Sequence, residues 1–395
     1  MSGGFDIQLW WLLALPFFFI LGWIAARIDI KHLVRESRVL PRSYFRGLNF
    51  LLNEQPDKAI EAFIEAARVD PETIEMHFAL GNLFRRRGET DRAIRVHQNL
   101  VGRDGLNDEQ RLQALAELGQ DYLKAGLLDR AEGIFEKLLG SRREEEALLS
   151  LLEIYQQEKE WQKAIDIAGR LPQHAGHMWA KEIANFHCEL AAAALLEDNR
   201  AEARARLEQA LAANRRCVRA TILLGELALA TGDAAAAIDA WKRVEQQGPQ
   251  YLSLIAARLT EAYRREEREV QGLGLLKSWL DQHPSLDLLD AVFQSTLAAS
   301  GPEQAYALVR EELRRNPTLL GLDKLLEAQI LVAPVERRND LQLMKNLIHE
   351  HTRRVARYRC DSCGFKARQF YWRCPACGGW ETYPPRRSEE FDLTP

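Results

Sequence analysis

Four of the six cysteines cluster near the end of the printed sequence as two Cys-x2-Cys pairs. The pairs are Cys360 with Cys363 and Cys374 with Cys377, separated by ten residues. Four thiolates at this spacing suit one tetrahedrally bound metal ion, iron or zinc. Because four protein ligands leave no open coordination position, the pattern disfavours hydrolytic catalysis.

A glycine follows each pair, at Gly364 and Gly378. Glycine adopts the positive φ that a tight metal-binding turn needs, and the backbone amides of such a turn can donate to thiolates. Five aromatic residues crowd the same segment: Phe365, Phe370, Tyr371, Trp372 and Trp380. A unit this small forms no core without a metal or a neighbour. We therefore expect this segment to be a structural metal module that docks on the last helices.

The segment leaves two other chemistries open. Its pair sequences resemble rubredoxin and zinc-ribbon knuckles, so an iron tetrathiolate could transfer electrons, although the spacer is shorter than in a free-standing rubredoxin. Nearby basic residues keep a nucleic-acid interpretation open: Arg353, Arg354, Arg357, Arg359, Lys366, Arg368 and Arg373. A net charge of −4 provides no global basic field, which makes nucleic-acid binding the less favoured interpretation.

The remaining candidate ligands have simpler interpretations. Cys188 and Cys217 stand apart in helical stretches, which favours small core residues in a reducing compartment over a disulfide framework. His174, His177 and His187 have no carboxylate or thiol at ligand spacing, so a metal role is not favoured.

The elements that must carry the four-cysteine segment form a repeat. Between residues 40 and 335, small and large apolar residues recur with a period near 34 residues, the tetratricopeptide spacing. The first unit contains Gly47, Phe50, Ala59, Phe63, Ala66 and Pro71. We predict an all-α superhelix of about eight helix pairs over residues 31–335 and a capping helix over 336–357. The four-cysteine module then covers 358–385 and a tail 386–395.

An apolar run from Ile7 to Ala26 has no charged residue and is long enough to span a bilayer. Trp10, Trp11 and Trp23 near its ends suit the membrane interface. The residues after it are rich in arginine and lysine, which places the following chain in the cytoplasm by the positive-inside rule. We therefore predict a single-pass anchor in residues 1–30 with a periplasmic N-terminus.

No phosphate-loop, HExxH or GxSxG motif interrupts the repeats, so we predict no enzyme.

The order of anchor, repeat array and "CDSCGF" with "CPACGGW" resembles the lipopolysaccharide assembly protein B family of Gram-negative inner membranes. The resemblance implies a non-enzymatic adaptor that binds the membrane protease FtsH and the deacetylase LpxC and promotes degradation of LpxC. It also implies an inner-membrane lipopolysaccharide sensor as a partner. The metal ligands that it implies are Cys360, Cys363, Cys374 and Cys377. A non-proteolytic scaffold is the alternative function, and self-association stays open.

Overall fold

The computed structural model of this protein describes most of the chain. The described residues are Phe19, Leu21, Trp23, 42–69, 73–172, 179–355 and 357–388. Apart from three residues, the predicted span at 7–26 lies outside this part, as do residues 389–395 of the predicted tail. Among the helices in the described ranges, none combines the length and apolar character needed to cross a membrane.

The described residues up to Ser150 belong to one compact unit, and those from Leu151 onward belong to a second. The helices of the first unit are α1 (Arg42–Leu52), α2 (Pro56–Val69), α3 (Ile74–Arg86), α4 (Thr90–Val101), α5 (Asp108–Lys124) and α6 (Leu128–Leu138). They follow one another as antiparallel pairs, the arrangement that the 34-residue period predicts. The division between the units falls inside α7 (Glu144–Glu158).

The second unit continues the pairs and ends in a small sheet. Its further helices are α8 (Trp161–Arg170), α9 (Ala180–Leu196), α10 (Arg200–Ala213), α11 (Val218–Ala230), α12 (Ala234–Lys242), α13 (Val244–Gln247), α14 (Leu252–Arg265), α15 (Glu269–Gln282), α16 (Leu286–Ser300), α17 (Pro302–Arg315), α18 (Leu319–Val332) and α19 (Val335–Val355). A 3₁₀ turn, Pro249–Tyr251, precedes α14. In the described ranges, eight pairs precede a ninth formed by α18 and α19. The sequence predicts about eight pairs up to residue 335 and a capping helix after them.

A small residue on the first helix of a pair receives a large one from the second helix. Gly225 on α11 lies against Trp241 on α12, and a methyl group added at Gly225 would come within 2.2 Å of the indole nitrogen. That nitrogen donates to the carbonyl of Ile222 at 3.1 Å. Gly119 on α5 receives Phe135 on α6 in the same way. This close approach is why the glycines recur with the repeat.

The first unit also holds a network of polar side chains around the buried Asp121. His97 takes the place of the large apolar residue beside Gly81, and its Nδ1 lies 2.5 Å from the carboxylate of Asp121. Both side chains are fully buried. Arg85 donates to Asp121 at 2.8 Å and to Glu117 at 2.6 Å. A buried carboxylate must be paired, and Asp121 is paired with both His97 and Arg85. These contacts join α3 and α4 to α5.

After α19 the chain forms a three-stranded antiparallel sheet in the order β2-β1-β3. Its strands are β1 (Arg357–Arg359), β2 (Lys366–Ala367) and β3 (Arg387–Ser388). Tyr358, Cys360, Cys374 and Tyr383 form a small buried core beside it. The hydroxyl of Tyr383 donates to the carbonyl of Tyr358 at 2.9 Å. The sheet therefore holds both cysteine pairs on one small framework.

Candidate metal centre

The two cysteine pairs adopt the same turn. In the first, the N–H of Gly364 donates to the carbonyl of Cys360 at 2.9 Å, and the N–H of Cys360 donates to the carbonyl of Phe365 at 2.9 Å. The second pair has the equivalent bonds from Gly378 to Cys374 and from Cys374 to the carbonyl of Gly379, both at 2.9 Å. The φ angles of Gly364 and Gly378 are 74° and 71°. Each glycine is thus needed for the left-handed turn that closes its knuckle.

These turns bring the four predicted ligand sulfurs together. The Sγ atoms of Cys360, Cys363, Cys374 and Cys377 all lie within 4.8 Å of one another. Cys360 and Cys377 are 3.8 Å apart, and Cys363 and Cys374 are 3.7 Å apart. Metal–sulfur bonds of about 2.3 Å in a tetrahedron require sulfurs about 3.8 Å apart. The cluster therefore fits a single tetrahedral ion, and its geometry suits iron as well as zinc.

Hydrogen bonds around Cys360 favour its thiolate. Burial disfavours that thiolate, but Thr382 and the backbone N–H groups of Cys363 and Ser362 outweigh this effect and lower the pKa of Cys360 to about 6. The hydroxyl of Thr382 lies 3.3 Å from its sulfur. For Cys363 the N–H of Phe365 favours the thiolate, yet desolvation and the neighbouring sulfurs raise its pKa to about 12. A divalent metal that binds the four sulfurs as thiolates would compensate their negative charge.

Aromatic rings attach this module to the repeats of the second unit. The indole of Trp380 meets Trp161 and Phe186 edge-on, with centroid distances of 6.0 and 5.9 Å. The guanidinium of Arg219 lies 5.8 Å from the Trp380 ring and 5.9 Å from the Trp372 ring. Trp380 is only 4% exposed. One arginine of α11 thus bridges two indoles of the module by cation–π contacts.

Trp372 has a further partner in the array. Its indole stacks on the ring of Tyr251 with centroids 5.2 Å apart, and Phe370 approaches the same tyrosine edge-on at 6.4 Å. Phe370 and Trp372 also pack against the buried core of the later repeats. The aromatic residues that crowd the module therefore form its contact surface with the repeats.

Polar contacts fix the orientation of the module. Asn185 on α9 donates to the carboxylate of Glu381 at 2.9 Å. Arg373 donates to the carbonyl of Gln156 on α7 at 3.0 Å. Because these donors and acceptors are directional, they select one way of seating the module on the repeats.

A second polar group lies at the edge of the sheet. The hydroxyl of Tyr358 donates to Asp287 on α16 at 3.3 Å, and Arg387 pairs with the same carboxylate at 3.0 Å. This arrangement ties β1 and β3 to the eighth helix pair. Desolvation of the Tyr358 hydroxyl and the nearby carboxylate of Asp287 raise the pKa of this tyrosine.

The prediction that the module docks on the last helices is wrong. The partners above lie between Gln156 and Asp287, on α7, α8, α9, α11, α16 and the 3₁₀ turn before α14. Most of them belong to the first helices of consecutive pairs. Those repeats provide the buried rings of Phe186 and Tyr251, which match the aromatic surface of the module. The chain therefore folds back from α19 across earlier repeats.

The other residues considered as ligands lie elsewhere. Cys188 and Cys217 are fully buried in the repeat core. His187 is buried on α9, and burial together with the charge of Arg206 lowers its pKa. His174 and His177 lie outside the described residues. Of the basic residues near the module, Arg373 is committed to the docking contact, whereas Arg359 and Lys366 have exposed side chains.

Comparison with known families matches both parts of this architecture. Residues 358–385 match the family described as rubredoxin metal binding domain, and residues 46–104 and 188–251 match a tetratricopeptide repeat family. Lipopolysaccharide assembly protein B of Escherichia coli (strain K12) is 36% identical over 378 residues, which are 95% of this chain and 97% of that protein. The chain belongs to the lipopolysaccharide assembly protein B family.

A second member of the family is lipopolysaccharide assembly protein B of Haemophilus influenzae. It is 32% identical over 398 residues, covering 98% of this chain and all of that protein. A crystal structure of a tetratricopeptide repeat protein from Parabacteroides merdae covers 78% of this chain at 15% identity, with a TM-score of only 0.27. The family assignment therefore rests on the sequence relatives, which extend from the repeats through the metal module.

Proposed function

We propose that this protein is a non-enzymatic adaptor in lipopolysaccharide assembly. The observation that carries the proposal is the relationship over 95% of the chain to a protein named for that process. Its architecture agrees with an adaptor, since a repeat array offers an extended surface for protein partners. The closed set of four sulfurs suits a structural metal that braces this surface.

The docked module restricts where a partner can bind. It covers first-helix residues of the second unit, including Asn185 and Arg219, which are 0% and 8% exposed. A partner that binds while the module is docked must use other surfaces, such as the first helices of residues 42–150 or the exterior of the module itself. We infer that the docked module determines which surfaces of the array stay open to partners.

The resemblance supplies the partners of this proposal. They are the membrane protease FtsH, the deacetylase LpxC and an inner-membrane lipopolysaccharide sensor. The predicted anchor at residues 7–26 would hold the array at the cytoplasmic face of the inner membrane. There it would raise the effective concentration of partners confined to the same surface. The adaptor would present LpxC to FtsH and so shorten the lifetime of LpxC.

The half-life of LpxC in cells tests this function. We expect cells with the full chain to degrade LpxC quickly, and cells with a chain lacking residues 1–30 to degrade it several-fold more slowly. The substitution Gly169→Ala is a matched control, because this exposed helical glycine has open space around it. If LpxC co-purifies with the protein but has the same half-life with and without it, the non-proteolytic scaffold is favoured instead.

A further inference from the structure

Two thiols that the metal centre does not use lie side by side in the repeat core. The Sγ atoms of Cys188 and Cys217 are 3.8 Å apart. Both residues are free cysteines with no exposed surface. Cys188 lies in the middle of α9, and Cys217 immediately precedes α11, so the two sulfurs join consecutive repeats. The sequence interpretation of two separate core residues did not anticipate this contact.

The two sulfurs have different surroundings. Cys217 occupies the N-cap position of α11, where the helix dipole and the first-turn amides favour an anion. Either thiol can donate across this contact. The hydrogen bond with Cys188 and the N–H of Ala220 lower the pKa of Cys217, whereas burial opposes this effect. The hydrogen bond with Cys217, followed by burial, raises the pKa of Cys188 well above its usual range.

The position of Cys217 at a helix N-terminus assigns the two chemical roles of a redox-active pair. A thiolate is the attacking species in thiol oxidation, and helix N-termini are sites where cysteines are activated. Cys217 is therefore the attacking residue. Cys188 is the resolving residue, since its sulfur already lies in contact with that of Cys217.

We propose that Cys188 and Cys217 form a dithiol–disulfide site that reacts with a small two-electron oxidant of the peroxide class. The Cys217 thiolate attacks one oxygen of hydrogen peroxide, the O–O bond breaks, and hydroxide leaves. The sulfenic acid formed on Cys217 is then attacked by the sulfur of Cys188. The S–S bond forms as the S–O bond breaks. The two thiol protons end in water, so two thiols and one peroxide give one disulfide and two waters.

The site lies beneath the docked metal module. Asn185, three residues before Cys188, binds Glu381, and Arg219, two residues after Cys217, bridges Trp372 and Trp380. Disulfide formation requires the sulfurs to approach from 3.8 Å to about 2.05 Å. This movement draws the start of α11 toward α9. Oxidation would therefore lock together the two repeats that hold the module.

Access limits which oxidants can react. Since both sulfurs are covered, an oxidant must enter when the first turn of α11 opens locally. Hydrogen peroxide is small enough to use such an opening. Glutathione disulfide, a bulky tripeptide dimer, should react far more slowly. This size dependence separates the proposed site from an exposed thiol pair.

Peptide mapping of the full, metal-loaded chain tests the proposal. The protein is treated with hydrogen peroxide, alkylated and digested with trypsin, which cleaves after Lys181, Arg200, Arg216 and Arg219. We expect a disulfide-linked pair of peptides, residues 182–200 with 217–219, lighter by two hydrogens than the two thiol peptides together. In Cys188→Ala the linked pair should be absent and Cys217 should carry the oxidised sulfur. In Cys217→Ala, Cys188 should remain a thiol.

Metal content is measured on the same samples. The proposal is overturned if both peptides remain alkylated thiols at a dose that fully oxidises glutathione in the same tube. It is also overturned if the linked pair forms only in protein that has lost its metal, because the disulfide would then reflect unfolding.

Discussion

The carboxamide of Asn185 donates to the carboxylate of Glu381 at 2.9 Å, although the two residues are 196 positions apart in the sequence. Asn185 is fully buried on α9, and Glu381 follows the second cysteine pair. Glu381 has a φ of 55°, and its N–H donates to the carbonyl of Trp372 at 2.8 Å. This single contact therefore joins the repeat array to the turn that positions both docking indoles.

Replacing Asn185 by alanine should loosen the module. The change removes a hydrogen bond to a charged acceptor, worth about 1.5–3 kcal/mol, and leaves the carboxylate without that donor. We expect amide hydrogen exchange in residues 358–385 to accelerate about tenfold or more, because each 1.4 kcal/mol corresponds to a factor of about ten. Asn99→Ala is the control, since Asn99 is exposed on α4. Equal exchange rates in both variants would contradict the importance of this bond.

The two knuckle glycines should control metal affinity. In Gly364→Ala or Gly378→Ala the added methyl group meets no atom closer than 3.5 Å, so the cost arises from the positive φ alone. That cost is about 1–2 kcal/mol for a residue with a Cβ. We expect each variant to bind zinc about 5- to 30-fold more weakly in competition with a chromogenic chelator.

Gly169→Ala is the matched control for the knuckle variants. Gly169 lies in α8 with a negative φ and open space around it, so alanine there should leave zinc affinity unchanged. Alanine at a helical position can also stabilise the helix by up to about 1 kcal/mol. Knuckle variants that bind zinc as tightly as this control would show that the left-handed turns do not matter for the site.

His187 should make the stability of the second unit depend on pH. Burial, followed by the charge of Arg206, lowers its pKa below the usual 6.5 in the folded protein. Between the lowered pKa and 6.5 the unfolded chain binds more protons, so stability is fully present above about pH 6.5 and falls as pH decreases. We expect the denaturant midpoint to fall more steeply from pH 7 to 5.5 in the wild type than in His187→Gln. Parallel curves for the two proteins would contradict this assignment.

The repeats could be predicted from sequence because their packing is local and periodic. Gly225 meets Trp241 within one helix pair, and the same spacing recurs through both units. The cysteine knuckles were equally accessible, since each turn is closed by bonds between residues up to five positions apart. Local contacts produce residue spacings that can be recognised in the sequence.

The position at which the metal module docks on the repeats produced no such spacing in the sequence. The bonds from Asn185 to Glu381 and from Arg373 to Gln156 join residues 196 and 217 positions apart. Neither end carries a motif, and the aromatic residues of the module indicate only that some surface must cover them. The sequence interpretation favoured docking on the last helices, but the buried rings that match the module belong to earlier repeats.

The buried pair of His97 and Asp121 shows a different limit. At that repeat position the pattern calls for a large apolar side chain, and histidine satisfies the volume but adds a polar group. Its partner Asp121 lies in the next repeat, two residues after Gly119, the glycine that makes room for Phe135. A periodic pattern identifies which positions are buried, but it does not show which buried polar residues pair.

Removal of the metal tests the central claim that the metal module is a fixed part of the array. Structural zinc contributes on the order of 10 kcal/mol to the folding of small domains, so the module should unfold when a chelator removes the ion. Hydrogen exchange should then accelerate in residues 358–385 and in the peptides that contain Phe186 and Arg219, while residues 73–150 stay protected. Unchanged protection around Phe186 and Arg219 after complete metal loss would contradict the account.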